Sequence, residues 1–249
     1  MDVTQRIIDC AKETAAGLFV EDFVIGVGYT GVKLSDGSGG VSYTFRNDLG
    51  PTCGVLFGAG KYAAVPAEKA LGWAMSSSLA QASIGIATAN ALLNRGYERG
   101  PNIADAVECG PEDVVGMIGW FCPLVNRYKD AKKLYVFERG SRKSPTDTVE
   151  IRPEEDEEIL LPECNKVILT GTCFINKTAD RLLAACRNAQ EIIIVGASTP
   201  MCPQVLREYG VTALAGTRIS DPDLALKIVA QGGGGVDLSP ASVKLFERI

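Results

Sequence analysis

The chain has 249 residues, of which 46% are hydrophobic, and a formal net charge of −5 at neutral pH without any histidine. This composition excludes wholesale disorder, because the apolar residues suffice for a packed core, and the length accommodates one large domain or two modest ones. The acidic balance and the lack of a basic cluster argue against nucleic acid as a partner, because phosphate neutralisation dominates such binding.

Localisation is inferred from the first residues and from the cysteines. No apolar signal core follows Met1, so we expect a cytoplasmic protein whose eight cysteines are reduced thiols. Residues 70 to 94 contain no charged side chain. They are rich in small and polar residues rather than large aliphatic ones, so we expect a segment buried in protein and no membrane insertion.

The first hundred residues predict a small α+β unit whose strands precede its main helices. Residues 2 to 17 place apolar side chains on one face at helical spacing. Residues 23 to 34 and 41 to 46 are extended runs joined by turn-forming residues, which predicts a β-hairpin. Residues 54 to 58 are a candidate third strand. Two helices are predicted after it, one opened by Pro66 and one ending near Leu93.

From about residue 112 the pattern changes to alternating strands and helices. The predicted strands span residues 114–119, 133–138, 166–170, 191–195 and 212–215, and helices are predicted after Pro123, Asn176, Pro203 and Asp221. Such alternation predicts an α/β fold with a parallel sheet covered by helices on both faces. Glycine and proline punctuate residues 94 to 111, so we place a domain boundary there, between residues 1–100 and residues 101–249.

Two apparent motifs are discounted because of their context. Gly26-Val-Gly-Tyr-Thr-Gly31 matches the dinucleotide fingerprint as a string, but the chain continues into a strand instead of the helix that would meet a pyrophosphate. Residues 153 to 158 include five carboxylates, which could form an acidic metal site. We interpret them instead as a solvated first turn of a helix, where acidic residues suit the helix dipole.

The cysteines carry the most distinctive chemistry. Cys122 and Cys202 each precede a proline where a predicted strand leads into a predicted helix, and Cys173 follows another strand. A helix N-terminus favours the thiolate, which is both a nucleophile and a soft-metal ligand. The absence of histidine excludes His-dependent triads and histidine-based metalloprotease motifs. We interpret the other cysteines in helices and loops as ordinary buried residues, namely Cys10, Cys164 and Cys186.

Strand order decides whether these three thiols meet. In the order 2-1-3-4-5 the first, third and fourth strands are neighbours, about 5 Å apart, and Cys122, Cys173 and Cys202 could converge on a soft metal ion. In the order 3-2-1-4-5 the third strand lies beyond the second, so Cys173 drops out. Separate capping cysteines that share no metal are the alternative in either order.

Polar residues at the carboxyl ends of the predicted strands form a second candidate site. Glu138 and Arg139 follow the second strand, where Glu138 could be a base, a metal ligand or an ion-pair partner. The later turns offer amides and hydroxyls that could hold an anion or a small ligand, at Gly171, Thr172, Asn176, Gly196, Ser198 and Thr199. On the uncharged helix, Asn90 belongs to a polar stripe that either faces a cleft or packs tightly.

Five parts of the sequence resemble, in combination, the bacterial and archaeal "putative heavy-metal chelation" family. They are Thr44-Phe-Arg-Asn-Asp48, Ala87-Thr-Ala-Asn-Ala-Leu, Val136-Phe-Glu-Arg139, Thr170-Gly-Thr with Asn176-Lys-Thr, and Val195-Gly-Ala-Ser-Thr-Pro200. The resemblance covers nearly the whole chain. It implies an enolase N-terminal-like domain over residues 1–100 and a Rossmann-like domain over residues 101–249, with a site in the cleft between them.

The leading hypothesis from the sequence is binding of a soft or heavy metal ion, or of a metal-bearing small molecule, in this interdomain cleft. Cys122, Cys173 and Cys202 would supply the thiolates, with Arg46 and Asn90 approaching from the first domain. The alternative is a Rossmann-class enzyme, for example a methyl-transferring one, whose nucleotide-like cofactor or substrate lies on the turns at Gly171 and Gly196. The identity of the metal, the reaction and the oligomeric state are left open by the sequence.

Overall fold

The computed structural model describes residues 2–50, 54–62, 64–140 and 143–249, which form two β-sheets with helices packed around them. The helices are α1 (Val3–Lys12), α2 (Ala67–Gly72), α3 (Leu79–Leu93), α4 (Ile103–Ala106), α5 (Cys122–Tyr128), α6 (Glu157–Leu160), α7 (Ala179–Ala185), α8 (Pro203–Leu206) and α9 (Pro222–Ala230). The strands are β1 (Phe19–Ile25), β2 (Tyr29–Leu34), β3 (Gly39–Tyr43), β4 (Val65–Pro66), β5 (Val114–Ile118), β6 (Lys133–Phe137), β7 (Val149–Arg152), β8 (Lys166–Thr170), β9 (Glu191–Val195), β10 (Ala213–Ala215), β11 (Thr217–Ile219), β12 (Ser242–Lys244) and β13 (Glu247–Arg248).

The first sheet has the strand order β12-β11-β3-β2-β1-β4. The predicted hairpin is formed by β2 and β3, which pair antiparallel around a turn where Gly37 has a φ of +80°. The fingerprint-like segment at residues 26–31 lies in the turn between β1 and β2 and runs into β2, so it opens no helix. Strands β11 and β12 return from the second half of the chain to complete this sheet. The first sheet is therefore not built from residues 1–100 alone.

Two element predictions in the first half are wrong. Residues 54–58 form no strand, because the chain turns there, with Gly58 at a φ of +83° and Gly60 at +85°. The two-residue strand β4 pairs with β1 instead. Helix α1 ends at Lys12, before the predicted end at residue 17, and the chain turns through Gly17 at a φ of +74°.

Helix α3 contains most of the uncharged segment and is buried along almost its whole length. Ser78 caps it by accepting a hydrogen bond from the amide of Gln81. Its small residues let the helix lie directly on β3, where a Cβ added to Gly40 would overlap the carbonyl oxygen of Ala87. This close approach explains why the segment lacks both charge and large side chains. None of the helices in the described part of the chain is long and apolar enough to cross a membrane.

The second sheet has the strand order β13-β10-β9-β8-β5-β6-β7, and its central strands are parallel. The five strands predicted from the sequence thus lie in the order 2-1-3-4-5, and the α/β fold is confirmed. Strand β7 extends one edge of the sheet and was not predicted, because it lies in a polar segment that was interpreted without a strand. Hydrophobic clusters on the two faces of the sheet contain α5 on one side and α7 and α8 on the other.

Candidate functional site

A cleft of about 780 Å³ lies between the carboxyl ends of β5, β6, β8 and β9 and the first sheet. One wall comes from the strand ends, where the backbone turns at Gly119 and Gly196. The other wall comes from β2, β3 and the turn after β3, with Tyr43 and Arg46. The volume falls in the range of roughly 300–1,000 Å³ that is typical of small-molecule sites.

The cleft opens at the point where the parallel sheet reverses its winding. Strands β5 and β8 are neighbours, but α5 packs with one face of the sheet and α7 with the other. The loops after the two strands therefore diverge and leave a crevice, which is the usual ligand position in open α/β sheets. Trp120 and Phe121 after β5, and Thr172 after β8, line this crevice.

Glycines after two of the strands shape the edge of the cleft. Gly119 follows β5 at a φ of +87°, and Gly196 follows β9 at a φ of +122°. A side chain is strained in this backbone region, so both positions favour glycine. Gly171 differs, because a Cβ there would lie 2.6 Å from Thr199 Oγ1. Gly171 is therefore a packing glycine and leaves no room for a ligand at its Cα.

Seven of the residues predicted from the sequence to bind a ligand line the cleft, namely Arg46, Glu138, Arg139, Thr172, Asn176, Gly196 and Ser198. Three others lie behind it, namely Asn90, Gly171 and Thr199, all of them buried. Asn90 Nδ2 donates to the carbonyl oxygens of Val41 at 2.8 Å and Ala197 at 3.1 Å, and so fixes the loop that forms the floor of the cleft. The tight-packing interpretation of the polar stripe thus describes Asn90.

Sequence reasoning missed the aromatic lining of the cleft. Its members are Tyr29, Tyr43, Phe45, Trp120, Phe121 and Phe137. Tyr43 and Phe45 stack edge to face with ring centroids 5.2 Å apart, which presents a rigid apolar surface. Burial raises the pKa of Tyr29, so its phenol stays protonated at neutral pH. The signal was present in the sequence, because several of these rings directly neighbour polar residues that were singled out.

Two arginines that line the cleft are already neutralised by carboxylates. Arg139 lies 3.2 Å from Asp48 and 2.6 Å from Glu154. Arg181 binds the buried carboxylate of Glu157 at 2.7 Å. Burial raises the pKa of Glu157 even though Arg181 opposes that shift. The acidic segment is thus only partly the solvated turn that the sequence suggested, since two of its carboxylates line the cleft.

Arg46 and Glu138 stand apart from these pairs. Arg46 lines the cleft and has no carboxylate partner within the described ranges of the chain. Glu138 accepts a hydrogen bond from the amide of Arg139 at 3.1 Å and has no cationic side chain as a partner in the same ranges. The cleft therefore offers a ligand one uncompensated guanidinium and one uncompensated carboxylate.

The three cysteines proposed as metal ligands lie in different environments. Cys122 is exposed and its sulfur accepts a hydrogen bond from Trp120 Nε1 at 3.0 Å. Cys173 is buried in the turn after β8, and burial raises its pKa well above the usual range. Cys202 is buried beside Cys10, and burial raises the pKa of Cys202 to about 12.

No shared thiolate site joins these cysteines. Among residues 2–50, 54–62, 64–140 and 143–249, no three Cys, Asp or Glu side chains lie close enough together to hold a metal ion. The favourable strand order is present, but six residues separate the end of β9 from Cys202, and the turn after β8 directs Cys173 into the core. Cys10, which the sequence analysis treated as an ordinary residue, is the thiol that contacts Cys202.

The fold and the cleft define an α/β protein with a ligand-sized site at a topological switch point. Two family models, both described as "putative heavy-metal chelation", match this chain: DUF364 over residues 102–246 and DUF4213 over residues 8–93. The chain belongs to this family, as the sequence motifs had indicated.

Two solved structures and one curated relative resemble the chain. A DUF364-family protein of unknown function from Pyrococcus horikoshii has a TM-score of 0.82 at 23% identity and covers 99% of this chain and 100% of its own. A second such protein, from Desulfitobacterium hafniense DCB-2, has a TM-score of 0.78 at 25% identity, with 99% and 98% covered. An uncharacterized protein of Methanocaldococcus jannaschii is 31% identical over 166 residues, which span 64% of this chain and 62% of that relative's length.

Proposed function

We propose that this protein binds a metal-bearing small molecule in the cleft, with an anionic group of that molecule at Arg46 and its planar part against the aromatic side chains. The observation that carries the proposal is the contrast between Arg46, which has no carboxylate partner in the described chain, and Arg139 and Arg181, which are both paired. A charge-assisted hydrogen bond of this kind contributes about 1.5–3 kcal/mol to binding.

A metal complex fits the cleft better than a bare ion. The family description points to heavy metals, but the described residues hold no group of three or more Cys, Asp or Glu side chains that could enclose one. Glu138 is the carboxylate left over for coordination, and hard divalent ions take about six oxygen ligands. The small molecule would therefore supply most of the metal's ligands, and Glu138 could add one.

The aromatic surface gives the second part of the fit. Tyr43 and Phe45 on one wall face a cleft that Phe121 and Phe137 line from the sheet side. Flat conjugated molecules bury a large area against such rings without losing much conformational entropy. A planar chelator with a free carboxylate meets both requirements, the apolar one and the charged one.

Calorimetry with defined chelates tests this proposal. Pyridine-2,4,6-tricarboxylate holds Ni²⁺ through its ring nitrogen and two carboxylates and leaves the third carboxylate free for Arg46. We expect its 1:1 Ni²⁺ complex to bind more tightly than Ni²⁺ alone, than the chelator alone, and than the Ni²⁺ complex of pyridine-2,6-dicarboxylate, which lacks the free group. No binding of the tricarboxylate complex at millimolar concentration contradicts the proposal.

Matched arginine variants locate the binding. Arg46→Gln should weaken the affinity for the tricarboxylate complex about tenfold or more, since loss of a charge-assisted hydrogen bond of about 1.4 kcal/mol has this effect. Arg187→Gln removes an exposed arginine that does not line the cleft and should leave the affinity unchanged. Equal affinities of the two variants would place the binding elsewhere.

A nucleotide-like ligand is the second candidate, and Glu138 is the observation that favours it. Glu138 follows β6, which neighbours β5, and dinucleotide-binding sheets use an acidic residue after the second strand to bind ribose hydroxyls. The packed Gly171 turn removes one of the two cofactor positions that the sequence suggested. Binding of AMP or S-adenosylmethionine that Glu138→Gln abolishes, without binding of the chelates, would favour this candidate.

A further inference from the structure

Two thiols from distant parts of the chain meet outside the cleft. Cys10 lies near the end of α1, and Cys202 is the residue that precedes α8. The two side chains are in hydrogen-bond contact. Cys202 is fully buried, whereas Cys10 is partly exposed. A small solute can therefore reach the pair from the side of Cys10.

The surroundings of the pair are polar on one side. Gln204, two residues after Cys202, donates from Nε2 to the Cys10 sulfur at 2.8 Å. Arg6 lies one helical turn before Cys10, and its positive charge lowers the pKa of Cys202 against the larger effect of burial. Arg6 also pairs with Glu208 at 2.6 Å. The described chain places no third Cys, Asp or Glu side chain where it could complete a metal site with the two sulfurs.

We propose that Cys10 and Cys202 form a two-coordinate site for a soft d¹⁰ metal ion, Cu⁺ or Hg²⁺. Thiolates select soft ions, and these two ions accept a pair of sulfur ligands without a third donor. Zn²⁺ is a poor fit, because it takes four ligands in structural sites and three protein ligands in catalytic ones.

The binding step involves proton release and no change of oxidation state. Each thiol loses one proton to solvent, and the two thiolate sulfurs each form one bond to the ion. With Cu⁺ the bis-thiolate complex carries one negative charge, which the nearby Arg6 stabilises; with Hg²⁺ the complex is neutral, which suits the buried position of Cys202. Metal affinity therefore rises with pH, because the ligands must be deprotonated.

The other cysteines do not offer an equivalent site. Cys164, Cys173 and Cys186 are all buried, and burial raises the pKa of each. Cys122 is exposed, and its sulfur contacts Trp120 rather than a second thiol. The pair is also separate from the cleft, because neither Cys10 nor Cys202 lines it. Failure of chelate binding in the cleft would therefore leave this inference untouched, and the reverse also holds.

Anaerobic titration with Cu⁺ against a chromogenic Cu⁺ chelator tests the site. The full chain and the Cys122→Ser variant should each retain one Cu⁺ at chelator concentrations that strip single thiols. Cys10→Ser should weaken retention by roughly 10²–10⁴-fold, because a second ligand held in place acts at a high effective concentration. X-ray absorption of the loaded chain should show two sulfur neighbours around the copper.

Variant stability does not confound this test. Cys10 is partly exposed, so Cys10→Ser should fold, and its circular dichroism spectrum and unfolding midpoint verify this. The inference is overturned if Cys10→Ser retains Cu⁺ as the parent chain does, if the parent chain loses all its Cu⁺ to the chelator, or if Cys122→Ser abolishes retention.

Discussion

Asp48 and Arg139 join the two walls of the cleft, with Asp48 Oδ1 3.2 Å from Arg139 Nη1. Asp48 belongs to the turn after β3, and Arg139 follows β6, so the pair links the first sheet to the second. Arg139 also binds Glu154 at 2.6 Å, which holds its guanidinium in place. An arginine that the sequence assigned to a ligand is thus already engaged within the protein.

The Asp48–Arg139 pair should contribute little to stability. The two side chains are 40% and 51% exposed, so solvent screens their attraction. A double-mutant cycle of Asp48→Asn and Arg139→Gln, followed by urea unfolding, should give a coupling energy of about 0.2–1 kcal/mol that shrinks in 1 M salt. A coupling energy above about 2 kcal/mol that salt does not change would contradict this.

Asn94 should be far more important for stability than its surface-like residue type suggests. Its buried side chain donates to the carbonyl oxygens of Thr199 at 3.1 Å and Thr217 at 2.9 Å, and accepts from the amide of Met201 at 2.8 Å. Asn94→Ala leaves these buried backbone groups without partners, so we expect a loss of roughly 3 kcal/mol or more. Urea unfolding measures it.

A matched variant on the same chain controls the Asn94 measurement. Asn188 is exposed, and its side chain makes one hydrogen bond, to the carbonyl oxygen of Pro162 at 3.2 Å. Asn188→Ala should change the unfolding free energy by less than about 1 kcal/mol. If the two variants lose similar stability, the hydrogen bonds of Asn94 do not have the importance given to them here.

Gly40 and Gly72 should respond to alanine in opposite directions. A Cβ on Gly40 would overlap the backbone of α3 at Ala87 and Ala91, so Gly40→Ala must separate the helix from β3. We expect a loss of roughly 3 kcal/mol or failure to fold. Gly72 ends α2 with helical backbone angles and open space around it, so Gly72→Ala should add about 0.5–1 kcal/mol. Thermal and urea unfolding of both variants test the contrast.

Asp113 should make the protein sensitive to acid. Burial alone would raise its pKa, but hydrogen bonds from the Gly110 amide, Asn165 and Lys166 hold the pKa below the ordinary value. Between the folded pKa and the unfolded pKa of about 3.9, the unfolded chain therefore binds more protons than the folded chain. The stabilisation is complete above the unfolded pKa and is lost as the pH falls through the folded pKa.

The pH dependence of one variant checks this assignment. At pH 7, Asp113→Asn should lose about 1–3 kcal/mol of unfolding free energy. At pH 3 and below, the difference from the parent chain should narrow, because the parent loses its own carboxylate there. Asp147→Asn, at an exposed position, should change stability by less than about 0.5 kcal/mol at either pH. A difference for Asp113→Asn that is constant with pH would contradict the assignment.

The parallel sheet could be predicted from the sequence because its central strands are short apolar runs followed by helix signals. Strand β7 escaped this reasoning, since Val149-Glu-Ile-Arg152 lies at an edge and alternates apolar with charged residues. Strands β11 and β12 escaped it as well, because three residues carry too little periodicity to be recognised. Long-range pairing of such short strands depends on the completed fold, which no local pattern encodes.

The candidate site was predicted correctly in position and only partly in composition. Residues directly after strand ends, such as Glu138 and Gly196, line the cleft because the carboxyl edge of a parallel sheet brings them together. Thr199 lies four residues beyond its strand, and the loop carries it into the core. Cys202 is still further along, where the contact with Cys10 depends on how α1 packs, and sequence spacing does not reveal that.

The return of β11 and β12 to the first sheet has a consequence for how the chain folds during synthesis. Until residue 244 has left the ribosome, β3 presents an edge to which β11 and β12 will pair. Such an open edge can pair with other chains, so a nascent or truncated first half is exposed to aggregation. The chain therefore gains its protected form only late in translation, and chaperone engagement should be strongest before that point.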